Sequence, residues 1–186
     1  SSTSRGLGDV YKRQDMLNEK VAKLLNTQIN KEFYSAYLYL SFSNFYDDKG
    51  LDGFANWYQV QAQEERDHAM LFVQYMQNND LPITFEAIDK PDLSGLKENI
   101  DPLKAALKHE QYVTELIHTI YDAAAEAKDF RTVQFLDWFV KEQGEEETNA
   151  TDLIKKMELF GTDAKGLYML DQELGARTYA APSLTL

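Results

Sequence analysis

The sequence predicts an all-α fold: a four-helix bundle with one long crossover connection and a short fifth helix near the C-terminal end. Three observations carry this. Apolar residues recur at steps of three and four over four long segments, strand-type alternation is almost absent, and Pro is missing from residues 1 to 81. The connections between segments run short, long, short. Short joins make antiparallel neighbours. The long one, about twenty residues, reaches the length of a twenty-eight-residue helix, roughly 42 Å, so it carries the chain from one end of the bundle to the other.

The first helical pattern covers 17–46 and stops at Asp47-Asp48-Lys49-Gly50, where Gly50 suits a helix end. The second covers 52–79 with Asp52 as its N-cap. Residues 80–100 form the connection, broken by Pro82, Pro91 and Gly95. Asp101 and Pro102 open the third helix, 101–128, as N-cap and first-turn Pro. Asp129 caps the fourth, which ends near Phe160-Gly161. A fifth runs from about 163 to 174, ahead of a polar tail. The bundle is thus 16–161, and 162–186 hold the fifth helix and tail. Residues 1–15 are small and polar with no helical stripe. They are read as an artificial or sequence-assembly scar, disordered, with Met16 as the natural start and a short targeting extension as the alternative.

Composition removes several function classes. The chain has no Cys, hence no disulfide framework, thiolate metal site or thiol nucleophile. Its formal net charge of −12 opposes nucleic-acid binding, which needs a basic surface, and suits cation attraction. No apolar run is long enough to span a membrane.

The interior stripes carry the chemical signal. Helix one reads Val21, Leu25, Gln28, Glu32, Ser35, Tyr39, Phe42, Tyr46. Helix two reads Phe54, Trp57, Gln61, Glu65, His68, Phe72, Tyr75. Helix three reads Leu103, Leu107, Glu110, Val113, Ile117, Ile120. Helix four reads Phe135, Phe139, Glu142, Glu146, Ala150, Leu153, Met157, with Gln143 and Glu145 at its edge. Every helix turns a carboxylate inward, and the levels agree. Glu32 lies 17 residues before a turn centred near residue 49 and Glu65 lies 16 after it, each about 25 Å along the axis. Glu110 lies 19 before a turn near residue 129, and Glu142 and Glu146 lie 13 and 17 after it. Unpartnered carboxylates in a dry core cost several kcal/mol each, and no Lys or Arg shares their level. Either they are protonated or a cation sits among them. Carboxylates with one imidazole suit Fe(II), Mn(II) or Zn(II), and two ions bridged by Glu65 account for the number of acids. A single Glu-x-x-His on a helix is weak evidence; four helices agreeing in face and depth are not.

The segments NKEFYSAYLYL, AQEERDHAM, KHEQYV, FLDWFVKEQGEEE and GLYMLDQEL resemble those of bacterial non-haem ferritins, in order and with matching spacing over nearly all of 16–175. The resemblance implies a ferritin-like fold and a cytoplasmic iron-storage protein that oxidises Fe(II) with O2 inside a shell of 24 identical subunits. It implies one iron held by Glu32, Glu65 and His68, and a second by Glu65, Glu110 and Glu146, with Gln143 close by. Glu64, Glu142, Glu145 and Glu146 would form a third, weaker site. Tyr39 and Trp138 would flank the pair, or simply pack the core.

Departures from the pattern define the rivals. Haem-bearing relatives carry a second Glu-x-x-His in helix four and a Met that ligates haem. Here helix four reads Glu142-Gln143-Gly144-Glu145 and Arg66 follows Glu65, so no haem is expected. Peroxidase relatives with a thiolate iron need Cys pairs. Other di-iron oxidases usually carry two His ligands, whereas His109 and His118 lie off the stripe as surface or boundary residues. At the positions where animal members line a threefold pore with acids, Val133 and Leu136 are apolar. A non-catalytic helical shell subunit is the rival from another class.

Overall fold

The computed structural model describes residues 2–186, with side chains from residue 4 on. Five helices form: α1 Ser2–Asp48, α2 Asp52–Asn78, α3 Asp101–Glu126, α4 Phe130–Phe160 and α5 Ala164–Gly175. α1 packs along α2 and α3 along α4, α1 also meets α3, and α5 closes one end against α2 and α4. The bundle and short fifth helix are as the periodicity predicts.

The ends of the helices refine the expectation. Gly50 takes a φ of 76° and lets the Leu51 N–H return to the Tyr46 carbonyl at 3.0 Å. Asp80 and Lys128 do the same job without glycine, at φ 53° and 55°. Asp129 and Asp163 cap α4 and α5, accepting from Thr132 N and Gly166 N. Asp52 is not the N-cap of α2; Leu51 is, without a side-chain bond, and Asp52 starts the first turn. Asp101 likewise sits inside α3, where its carboxylate accepts from the N–H groups of Lys97 and Glu98 at 2.9 and 2.7 Å and so ties the connection to the helix.

The start of the chain departs from the sequence reading. Residues 2–15 are not irregular but continue α1 without a break. Residues 4–13 are exposed, and Gln14 is the tie to the bundle, donating to the Ala127 carbonyl at 2.7 Å. No apolar stripe was needed because a helix already nucleated by the bundle extends at little cost.

The crossover, without helix or strand, lies along α1. Asn26 exchanges two hydrogen bonds with Thr84, Asn30 donates to the carbonyls of Glu86 and Ala87, and Tyr46 and Lys49 hold Asn99 and Lys97 at the far end. Its route explains how two hairpins register.

The core is split into two apolar blocks. One, around Leu25, Phe72, Ile117 and Phe139, fills one half of the bundle; the other, around Phe42, Tyr46, Phe54 and Leu103, fills the half that α5 closes. Between them lies a polar slab of Gln28, Glu32, Ser35, Gln61, Glu65, His68, Glu110, Gln143 and Glu146, all buried. On the stripes, Tyr58 and Ala106 take the deep positions expected of Trp57 and Leu107, which are half-buried. Val133 is half-buried and packs against the first block, and Leu136 is fully buried in it.

α5 sits on α2 by close backbone approach. Asp171 accepts from Phe54 N at 3.0 Å, and a Cβ on Gly53 would stand 1.6 Å from the Asp171 carbonyl oxygen. Gly53→Ala is therefore expected to unseat α5 and lower stability by about 1–3 kcal/mol, read as a fall in the thermal midpoint.

Candidate metal centre

The helix stripes place their carboxylates at one depth, and the side chains meet there. The donor atoms of Glu32, Glu65 and His68 lie within 4.8 Å of one another, and so do those of Glu65, Glu110 and Glu146. Glu65 belongs to both groups. His68 Nδ1 is 3.2 Å from Glu65 Oε2 and 4.0 Å from Glu32 Oε2.

The surrounding polar groups hold these acids in place. Gln28 Nε2 donates to Glu32 Oε1 at 2.9 Å. Gln61 Nε2 donates to Glu65 Oε1 at 3.0 Å and to Glu146 Oε2 at 2.9 Å, linking α2 to α4. Tyr39 donates its hydroxyl to Glu110, and Gln143 Nε2 donates to the other Glu110 oxygen at 3.0 Å. Gln28 and Gln61 were visible on the stripes, but nothing in the pattern assigned them this work.

The donors do not satisfy the slab. Glu32 Oε2 is buried without a hydrogen-bond partner, and such an orphan acceptor costs about 1–3 kcal/mol, more when charged. Burial pushes Glu32, Glu65 and Glu146 well above the usual carboxylate range, and mutual repulsion among the acids adds to it; burial raises Glu110 as well. Burial, with Glu110 beside it, also raises Tyr39, which keeps its proton and donates. The slab is short of positive charge, and its oxygen-rich donor set with one imidazole is what a hard or borderline divalent ion takes.

A match to a family model covers residues 22–160, described as the ferritin-like domain. The chain belongs to the ferritin-like family. Among curated relatives, the bacterial non-heme ferritin of Campylobacter jejuni is 38% identical over 84% of this chain and 93% of its own. That of Staphylococcus aureus is 34% identical over 88% and 98%. The open-pore ferritin of Archaeoglobus fulgidus is 41% identical, with a TM-score of 0.83 over 86% of this chain and 97% of its own. Iron storage with oxidation of Fe(II) is the function this membership carries at the level of the family.

In this ferritin-like chain the remaining residues of interest fall unevenly. Gln143, expected at the edge of its stripe, is buried, while Glu142 is half-buried and raised by burial. Glu145 is exposed. Glu64 is paired with Arg177 from the tail. Among the described residues, Glu64, Glu142 and Glu145 join neither donor group, because one is turned to a guanidinium and another to solvent. Trp138 is half-buried and meets the His68 ring edge-on at 5.5 Å between centroids. His118 is exposed. His109 is a boundary residue: its Nε2 shares a hydrogen bond with Ser35 Oγ at 2.7 Å, and burial pushes its imidazole down to about 4. Arg177 lay in a segment without periodicity and escaped the sequence reading. No described helix is long and apolar enough to cross a membrane.

Proposed function

We propose that this chain is a ferroxidase subunit that takes Fe(II) and O2 as substrates and stores the Fe(III) product in a homo-oligomeric shell. Glu32, Glu65 and His68 bind one Fe(II); Glu65, Glu110 and Glu146 bind the second. The observation that carries this is the sharing of Glu65 between two donor groups beside the orphaned Glu32 Oε2. A single ion would leave one group of buried acids uncompensated.

The residues divide the work. Glu65 bridges and so sets the separation of the ions. Gln61 orients Glu65 and Glu146, Gln28 orients Glu32, and Tyr39 with Gln143 fixes both oxygens of Glu110. Oxygen donors favour Fe(III) over Fe(II), which makes oxidation downhill. Two Fe(II) supply the two electrons that reduce O2 to the level of hydrogen peroxide with two protons, so no one-electron product is released. Glu64, Glu142, Glu145 and Glu146 would serve a weaker third ion on the way out. The same reading places the protein in the cytoplasm, in a 24-subunit shell, without haem.

The test is to load apoprotein with Fe(II) anaerobically and then admit O2. Rapid oxidation of two ions per subunit by a shell-sized particle supports the reading. A monomer that binds no stoichiometric iron and oxidises it no faster than buffer contradicts it.

A further inference from the structure

The tail after α5 runs back across α2 and α4, and Arg177 anchors it. Its guanidinium lies over the Trp57 ring at 4.2 Å, its Nη1 donates to the Trp57 carbonyl at 3.1 Å, and its Nη2 pairs with the Glu64 carboxylate. Asn56 Nδ2 holds the Arg177 carbonyl at 3.0 Å. Farther along, Tyr179 donates to Asp67, Trp138 Nε1 donates to Ser183 Oγ at 2.9 Å, and Leu184 packs against the core. Together they border a half-open cleft of about 200 Å³. The tail segment 180–183 forms one wall, and Glu64, His68, Trp138 and Glu142 form the other.

The cavity therefore joins a member of the first donor group, His68, to two carboxylates at the surface. Such a lining draws divalent cations. While Arg177 holds Glu64, however, that carboxylate is already neutralised. A divalent ion that takes Glu64 and Glu142 competes with the guanidinium for that carboxylate. The bond to Glu64 is the one tie of the segment with a charge on both partners; Tyr179 adds a bond to the Asp67 carboxylate, and the other ties are neutral hydrogen bonds, apolar contact and ring stacking.

We propose that residues 177–184 are a latch over the side of the metal pair that faces α2 and α4, with Arg177 as the positioning residue that a passing divalent cation displaces from Glu64. This rests on the metal-pair reading above. The latch narrows the cleft when no cation is present and swings aside as one arrives or leaves.

Both tryptophans of the chain touch the latch, so their emission reports on it. The test uses full-length protein, Zn2+ as a redox-inert probe, acrylamide quenching of tryptophan emission, and stopped-flow and calorimetric titration. In the wild type, Zn2+ is expected to raise quenching. Arg177→Gln is expected to show that raised quenching before Zn2+ is added and to load the pair about five- to tenfold faster, with the same two ions bound. Arg177→Lys keeps the charge but loses the planar stack, and is expected between the two. Tyr179→Phe, which removes the tie to Asp67 and leaves every proposed ligand in place, shifts both readouts in the same direction by less, and carries the test should Arg177→Gln fail to fold. Quenching and loading rates that match the wild type in these variants overturn the latch while leaving the pair intact. A wild type that does not bind two Zn2+ per subunit overturns the pair itself, and the latch with it.

Discussion

Glu65→Ala is expected to abolish loading of both ions and to slow Fe(II) oxidation by about a hundredfold or more. The size follows from position. Among the described residues Glu65 is the one member of both donor groups, so on the two-ion reading proposed above its loss would take a ligand from each ion and the bridge between them. Removing residues that merely orient a ligand costs about ten- to a hundredfold, and removing a shared ligand costs at least the upper end of that. The fold should survive, because Glu65 lies in the polar slab and the two apolar blocks on either side stay intact. Calorimetry with Zn2+ under conditions where the wild type binds two ions, and stopped-flow oxidation, check this. Glu158→Ala, at an exposed position of α4, serves as the control. Two ions still bound and oxidation still fast in Glu65→Ala would exclude the bridging role.

Without metal, the protein is expected to lose stability as pH rises from about 4 toward neutrality, and Glu32→Gln is expected to reverse part of that loss. The folded state raises the pKa values of Glu32, Glu65, Glu110 and Glu146, chiefly by burial. In the unfolded chain these groups release their protons near pH 4.3. Below that value both states hold the protons and the groups contribute no pH dependence. Above it the unfolded chain releases protons that the folded chain retains, so stability falls until the folded-state values are passed. Divalent ions change the sign of the problem, since they replace the protons and bind the ionised acids only in the folded state. Metal should therefore raise the thermal midpoint most at neutral pH and little near pH 4. Glu32→Gln removes a buried carboxyl group whose Oε2 has no hydrogen-bond partner and whose proton the unfolded chain releases. It should stabilise the apoprotein at pH 7 by about 1–3 kcal/mol, have almost no effect near pH 4, and weaken metal binding. Urea titrations of wild type and variant at the two pH values measure the difference directly. An apoprotein variant less stable than wild type at pH 7 would mean that the Glu32 carboxylate is stabilised by something other than metal.

Much of this centre was legible in the sequence because helical periodicity is a strong code. A carboxylate on a stripe otherwise made of Leu, Phe and Tyr stands out, and equal distances from two turns bring Glu32 opposite Glu65 and Glu110 opposite Glu146. All eight stripe positions named for helix one are buried. Where two neighbours compete for one face, the code blurs. The bulkier Trp57 was expected inside, yet the backbone turns Tyr58 to the core, and Gln143 goes deeper than Glu142. Apart from the start of α1, helix ends were read to within about two residues, with Leu51 and Ile100 as caps that carry no side-chain signal. Two features had no periodic signature to read. Residues 2–15 are helical only because they continue a helix that the bundle has already fixed. Arg177 reaches Glu64 across 113 residues of sequence, by a path that depends on where α5 ends.

The central claim is that acids from four helices stay buried at one depth because divalent ions neutralise them. Diffraction from crystals soaked anaerobically in Fe(II), collected on both sides of the iron absorption edge, tests it most directly. Two anomalous peaks flanking Glu65, one within bonding distance of Glu32 and His68 and one of Glu110 and Glu146, are the expected result. No anomalous density between these side chains, with the carboxyl groups bridged by water or protons alone, would contradict it.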